Sequence, residues 1–113
     1  MHEFDIVQNL LKLIKKYAED NHAATVISVK IKLGRLSGVE PYLLKTAFDT
    51  FKENTIANCA ELIMDIRDVV IRCNQCNQQS ILTEFIFICP ICGSIDIETI
   101  EGDTMTLETL EMK

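Results

Sequence analysis

Apolar positions recur at three- and four-residue spacing from Asp5 to Asp20, with Ile6, Val7, Leu10, Leu11, Ile14, Tyr17 and Ala18 on one side and Lys12, Lys15, Lys16 and Glu19 on the other. That spacing predicts an amphipathic helix, and Asp5 is placed to serve as its N-cap. From Thr25 to Leu33 the period changes to two. Ile27, Val29, Ile31 and Leu33 alternate with Ser28, Lys30 and Lys32, which predicts a strand with one wet face. Gly34-Arg35-Leu36-Ser37-Gly38 ends it, and Pro41 suits the first turn of a second helix running to about Asn54, with Leu44, Ala47, Phe48 and Phe51 as its buried stripe. Alternation returns from Glu61 to Ile71, with Leu62, Met64, Ile66 and Val70 opposed to Asp65 and Arg67, and again from Met105 to Met112. In that last strand the phase slips between Leu107 and Leu110, the mark of a bulge or register change.

These elements predict an α/β (α+β) fold in which two helices cover a three-stranded, mainly antiparallel sheet. Residues 72–101 interrupt it and carry four of the five cysteines. So short a segment buries too little apolar surface to fold unaided and needs a staple. The expected organisation is a discontinuous core domain, residues 1–69 plus 103–113, with an inserted zinc-ribbon domain at 70–102. A chain of 113 residues, 48% hydrophobic and 25% charged, has room for one core and one small accessory, and its composition excludes disorder. No apolar run approaches the ~18–20 residues of a membrane span, and Met-His-Glu-Phe-Asp lacks the basic start of a secretory signal. A cytoplasmic location is therefore expected, where the cysteines stay reduced.

Charge separates the two halves. Residues 1–58 hold eight Lys/Arg and seven Asp/Glu, a net of +1, while residues 59–113 hold three and ten, a net of −7, together the −6 of the chain. An acidic half repels phosphate backbones and favours metal cations and basic protein surfaces.

Cys73-Asn74-Gln75-Cys76 and Cys89-Pro90-Ile91-Cys92 form a C-x2-C-x12-C-x2-C pattern followed by Gly93. Two tight turns, each aiming two thiolates at one point, complete a tetrahedral all-sulfur shell, so Cys73, Cys76, Cys89 and Cys92 are the candidate ligands of a structural Zn(II) with no open position for catalysis. Two disulfides, iron in the same cage and a redox pair are the alternatives, with the reducing compartment and ligand type favouring zinc. The remaining Cys59, just before a strand, reads as a buried or half-buried inert thiol.

Nucleophilic catalysis has no visible machinery: there are two histidines, no Ser-His-Asp order and no phosphate loop. His22 reads as a surface residue in a polar connection. His2 stands where the Met1 amine, a backbone amide and its own imidazole can form one chelate, a nitrogen set that favours square-planar Ni(II) or Cu(II). On this chemistry alone, a frayed terminus with a solvated histidine is the competing reading.

Met1-His2-Glu3 opening a helix, Ser28-Val29-Lys30-Ile31-Lys32-Leu33-Gly34 followed by Leu36-Ser37-Gly38-Val39-Glu40-Pro41, Ala47-Phe48-Asp49 in the next helix, and the paired CxxC motifs together resemble the HypA/HybF family of hydrogenase nickel-incorporation proteins over essentially the whole chain. The resemblance implies a nickel metallochaperone that transports Ni(II), keeps Zn(II) as a structural ion and catalyses nothing itself. It implies that His2 supplies imidazole and backbone nitrogen and that Glu3 supplies backbone nitrogen, with its carboxylate as a further candidate ligand. Met1 would offer its amine, and Glu40 answers to an acidic position that can reach the nickel. The implied partners are a HypB-like nickel-insertion GTPase, the large subunit of a [NiFe]-hydrogenase and, where present, urease accessory proteins, with neither nucleic acid nor membrane involved. Certain relatives carry histidines beside their zinc cysteines. None follows His22 here, so a histidine-for-cysteine switch is not expected. Two other functions remain open at this point, a nucleic-acid-binding zinc ribbon and a zinc-ribbon adaptor without nickel transport. The first lacks a basic face, because residues 70–101 offer only Arg72 beside the aromatics Phe85 and Phe87.

Overall fold

The computed structural model describes residues 2–113 apart from the side chain of His2; Met1 and the His2 imidazole, both candidate nickel donors, lie outside the described residues. The elements are α1 (His2–Asp20), β1 (Val26–Gly34), α2 (Pro41–Phe51), β2 (Glu61–Arg67), β3 (Val69–Cys73), β4 (Gln79–Leu82), β5 (Ile97–Glu101) and β6 (Met105–Met112). They build two three-stranded sheets, ordered β2-β1-β6 and β4-β3-β5. Among the described residues no helix is long and apolar enough to cross a membrane.

The first sheet carries both helices. Val7, Leu10, Ile14 and Ala18 of α1 and Leu44, Ala47 and Phe48 of α2 are buried against Val26, Val29, Ile31 and Leu33 of β1 and Leu62 of β2. The stripes read from the three-and-four spacing are thus the packed ones, except that Tyr17 is exposed at the edge of the α1 face. The expected two helices on three strands are present, but the sheet is mixed rather than mainly antiparallel: β1 pairs β6 antiparallel and β2 parallel. The parallel pairing follows from α2, which carries the chain back across the sheet between β1 and β2, as parallel neighbours require.

The phase slip in the last strand is a bulge. Lys30 faces Thr109 and Ile31 faces Leu107, so Glu108 is the extra residue, and its insertion keeps Leu107 and Leu110 both turned to the core. A second irregularity lies between Val26 and Ser28, and it overturns one assignment: Ile27, expected inside, is 40% exposed while Val26 is buried. Helix limits also differ. α1 begins no later than His2, so Asp5 is an exposed first-turn residue rather than the N-cap, and α2 stops at Phe51, with Asn54 at φ 64 beyond it.

The strand expected over Glu61–Ile71 is two strands that break at Asp68 and join different sheets. The break shifts the alternation by one residue, so Val69 and Ile71 are buried where Ile66 and Val70 were expected. The second sheet has a very small core, Val69, Ile71 and Leu82 with Leu36 and Ile97 against it.

Three stretches of chain meet at the waist between the sheets. Gly34 N donates to the Thr104 carbonyl at 3.0 Å, Arg35 N to Arg67 O at 3.0 Å and Leu36 N to Gly102 O at 2.8 Å, and the Arg35 guanidinium pairs with Asp68 at 2.7 Å. A Cβ on Gly34 would collide with the Gly102 carbonyl, and one on Gly102, whose φ is +93, would collide with the Asp68 carbonyl. Gly102→Ala should therefore destabilise the protein by about 2–4 kcal/mol, through strain and displaced backbone. Gly38→Ala, also at positive φ but with nothing within 4 Å, should cost only about 1 kcal/mol; urea unfolding of the two variants measures the difference.

Candidate metal centre

The four CxxC sulfurs converge between the β3 end and the turn before β5, all within 4.8 Å of one another. Cys73 Sγ lies 3.5 Å from Cys92 Sγ, and Cys76 Sγ 3.7 Å from Cys89 Sγ. A tetrahedron of thiolates at Zn–S distances of ~2.3 Å has edges of about 3.8 Å, so the donor set fits Zn(II) with little adjustment. All four thiols are free, which removes the paired-disulfide reading.

Each ligand pair sits on the same turn. Asn77 N–H donates to the Cys73 carbonyl and Gly93 N–H to that of Cys89, both at 2.9 Å, and both donors take left-handed conformations, φ 61 and 77. Gly93 stands in the sequence directly after the second motif. Asn77, its counterpart, was missed, although asparagine is among the few side chains that adopt this region readily. The turns aim backbone N–H groups at sulfur: Gln75 and Cys76 toward Cys73 at 3.4 and 3.5 Å, and Cys92 toward Cys89 at 3.5 Å. Asn74 ties the two turns together, its backbone donating to Asp96 O and its side chain to the Asp96 carboxylate, each at 3.0 Å.

These donors divide the thiols. The Cys76 N–H, outweighing burial and aided by the Gln75 N–H, holds the Cys73 thiol down to about 6. Cys89 is lowered by the Cys92 N–H in the same way. The Ser94 N–H pulls Cys92 down, but the neighbouring Cys73 sulfur, burial and the other two cysteines push it up to about 12; Cys76 is raised too, despite the Gln78 N–H, by burial and by the Cys73 and Cys89 sulfurs. The Cys73 thiol is thus ready to ionise at neutral pH and Cys89 gives up its proton more readily than an ordinary thiol, while the protons of Cys76 and Cys92 leave when a cation compensates the added charge.

Of the remaining candidates, the structure brings Glu3 and Glu40 together at the start of the two helices: Glu3 Oε2 accepts from Glu40 N–H at 3.4 Å. Glu3 is buried, and Glu40 is exposed and caps α2, its carboxylate accepting from Leu43 N–H at 2.8 Å. His22, at φ 54, is exposed. Cys59 is exposed, contrary to expectation, because the Ala57–Ala60 turn directs its two alanines into the core and leaves the thiol outside.

The fold and the four-sulfur centre define a small α+β protein that carries a four-cysteine zinc-binding ribbon on a helix-covered sheet. A model of the family described as hydrogenase/urease nickel incorporation, metallochaperone, HypA, matches residues 1–112, and the chain belongs to that family. It is 50% identical over 113 residues to the hydrogenase maturation factor HypA of Aquifex aeolicus, covering all of this chain and 98% of that one, and 46% identical to that of Shewanella baltica, covering all of this chain and 97% of that one. The solution structure of the Ni metallochaperone HypA from Helicobacter pylori superposes with a TM-score of 0.73 at 27% identity, covering 97% of this chain and 96% of that one. A second HypA solution structure gives 0.71 at 30% identity, with 100% and 97% covered.

In reduced, metal-stripped protein the thiolate absorbance should rise in separated steps, the first near pH 6 and the last near 12, rather than in one step near the ordinary thiol value. A single step at the ordinary value in a spectrophotometric titration would contradict the division.

Proposed function

We propose that this protein carries Ni(II) at its N-terminus for the maturation of a [NiFe]-hydrogenase, and of urease where that enzyme is present, while the four-cysteine site holds a structural Zn(II). The observation that carries the nickel reading is the junction of the helix starts. α1 begins at His2, and Glu3 and Glu40, distant in sequence, meet beside its first turn. The first N–H groups of a helix have no partner within it, so the backbone nitrogens of His2 and Glu3 can bind a metal without breaking the helix. With the Met1 amine and the His2 imidazole they offer the nitrogen-rich set that Ni(II) prefers over Zn(II), and Glu40 supplies an exposed carboxylate at the rim.

Such a terminal site binds and releases its ion through an open face, as a carrier requires. The four-sulfur centre has all four positions filled by protein and suits a resident ion. On this reading the chain divides into a nickel domain, residues 1–69 plus 103–113, and a zinc ribbon, residues 70–102. It acts in the cytoplasm beside a HypB-like GTPase, with the hydrogenase large subunit or urease accessory proteins receiving the metal, and it performs no catalysis.

Calorimetry with Ni(II) on untagged wild type, His2→Ala and an N-terminally extended form should show one ion bound by wild type and binding reduced at least about tenfold in the other two, the loss of one or more ligands. Comparable binding by all three would refute the N-terminal site. Stripping zinc with a chelator should abolish the ordered signals of β3–β5 in an NMR spectrum but leave the 222 nm helical signal largely intact, because three buried apolar residues cannot hold the ribbon alone.

A further inference from the structure

We propose that the Glu3 side chain is a positioning residue and not a nickel ligand: it completes the N-cap of α2 from the neighbouring helix and thereby pins the first turn of α1 to a fixed point of the fold. The inference rests on the N-terminal nickel site proposed above and assigns this carboxylate a task within it.

Glu40 makes half of a capping box. In the complete motif the N-cap side chain accepts from the N–H of N3, and a Glu or Gln at N3 reaches back to the N-cap N–H. Here Glu40 accepts from Leu43 N–H at 2.8 Å, but N3 is Leu43 itself, whose apolar side chain cannot return the bond. Glu3 supplies the missing acceptor, its Oε2 3.4 Å from Glu40 N, across 37 positions of sequence.

The surroundings support an inward, structural role. Glu3 is the one buried charged side chain among the described residues, 7% exposed. It lies in the first turn of α1 and against the first turn of α2, so the positive ends of two helix dipoles stabilise its charge.

The bond also ends on a stationary group. The loop from Gly34 to Glu40 is held by the three backbone bonds at the waist and by Val39 N–H to Ser37 Oγ at 3.3 Å, and its Leu36 packs against the ribbon's apolar cluster. The next residue of α1 makes a second attachment: the Phe4 ring meets Phe51 edge-on, centroids 4.6 Å apart at 85°, at the opposite end of α2. Two consecutive residues therefore clamp the start of α1 to both ends of α2. A carboxylate used in this way sets where the nickel-binding nitrogens stand relative to Glu40.

The test compares untagged wild type, Glu3→Gln and Glu3→Ala by amide hydrogen exchange at Glu40, which requires no nickel, and by Ni(II) affinity in chelator competition together with the ligand-field absorption of the bound ion. A glutamine oxygen can accept the same bond. Glu3→Gln should keep the Glu40 amide protected, the wild-type spectrum and an affinity within about threefold of wild type, whereas Glu3→Ala should lose protection and bind at least about tenfold more weakly, the worth of one hydrogen bond to a charged group. Glu3→Gln decides the matter alone should Glu3→Ala not fold. If it binds as weakly as Glu3→Ala while its Glu40 amide stays protected, the carboxylate is a ligand and the proposal is overturned. Equal, fast exchange at Glu40 in wild type and Glu3→Gln also overturns it. If wild type binds no nickel at its terminus, the functional reading fails, and the exchange series still decides whether Glu3 pins the helix.

Discussion

A side chain keeps two backbone segments apart, so they cross in close contact where one of them is glycine, and this molecule is joined at such crossings. Gly34 at the end of β1 rests on Gly102 between β5 and β6, and Gly102 rests in turn on Asp68 between β2 and β3. All the chain passing between the sheets goes through this point. The Arg35–Asp68 pair closes it on the solvent side, where an exposed ion pair adds little energy, so the hydrogen bonds and close packing of the backbone provide the junction.

On the two sides of the waist, stability has different sources. The helix-covered sheet has fourteen buried apolar residues in one cluster, enough for an ordinary small core. The ribbon has three, and its long exposed run Phe85 to Ile88 contributes nothing to the interior. Its order comes from two matched turns that bring four sulfurs to the corners of one tetrahedron. Residues 70–102 hold four acidic side chains against the single Arg72, and a thiolate cluster with Zn(II) would add a further charge of −2. That excess argues against a phosphate backbone as partner more strongly than it locates the proposed nickel site.

The loop from Gly34 to Glu40 links the two regions. Leu36 belongs to the ribbon's cluster, and Glu40 begins the helix against which the N-terminus is docked. A rearrangement of the ribbon therefore has a short, hydrogen-bonded route to the end of the protein where nickel is proposed to bind. The route consists of particular contacts, and each can be removed singly.

Local information was enough wherever both partners of an interaction lie within a turn or two of each other. The helical stripes, the bulge at Glu108 and the four-sulfur centre were readable for this reason: their periods and spacings are properties of short segments. Reading failed where the outcome depended on a distant partner. Nothing local shows that Asp68 divides one alternating run between two sheets, that Val26 displaces Ile27 from the core, or that β2 pairs parallel to β1. The exposure of Cys59 depends on which neighbours the core admits. The same limit applies to the proposed nickel end. Met1-His2-Glu3 and Glu40 could each be named from the chain, but only the tertiary structure puts the Glu3 carboxylate beside the Glu40 amide, because no pattern within one helix records that the first turn of another will complete its cap.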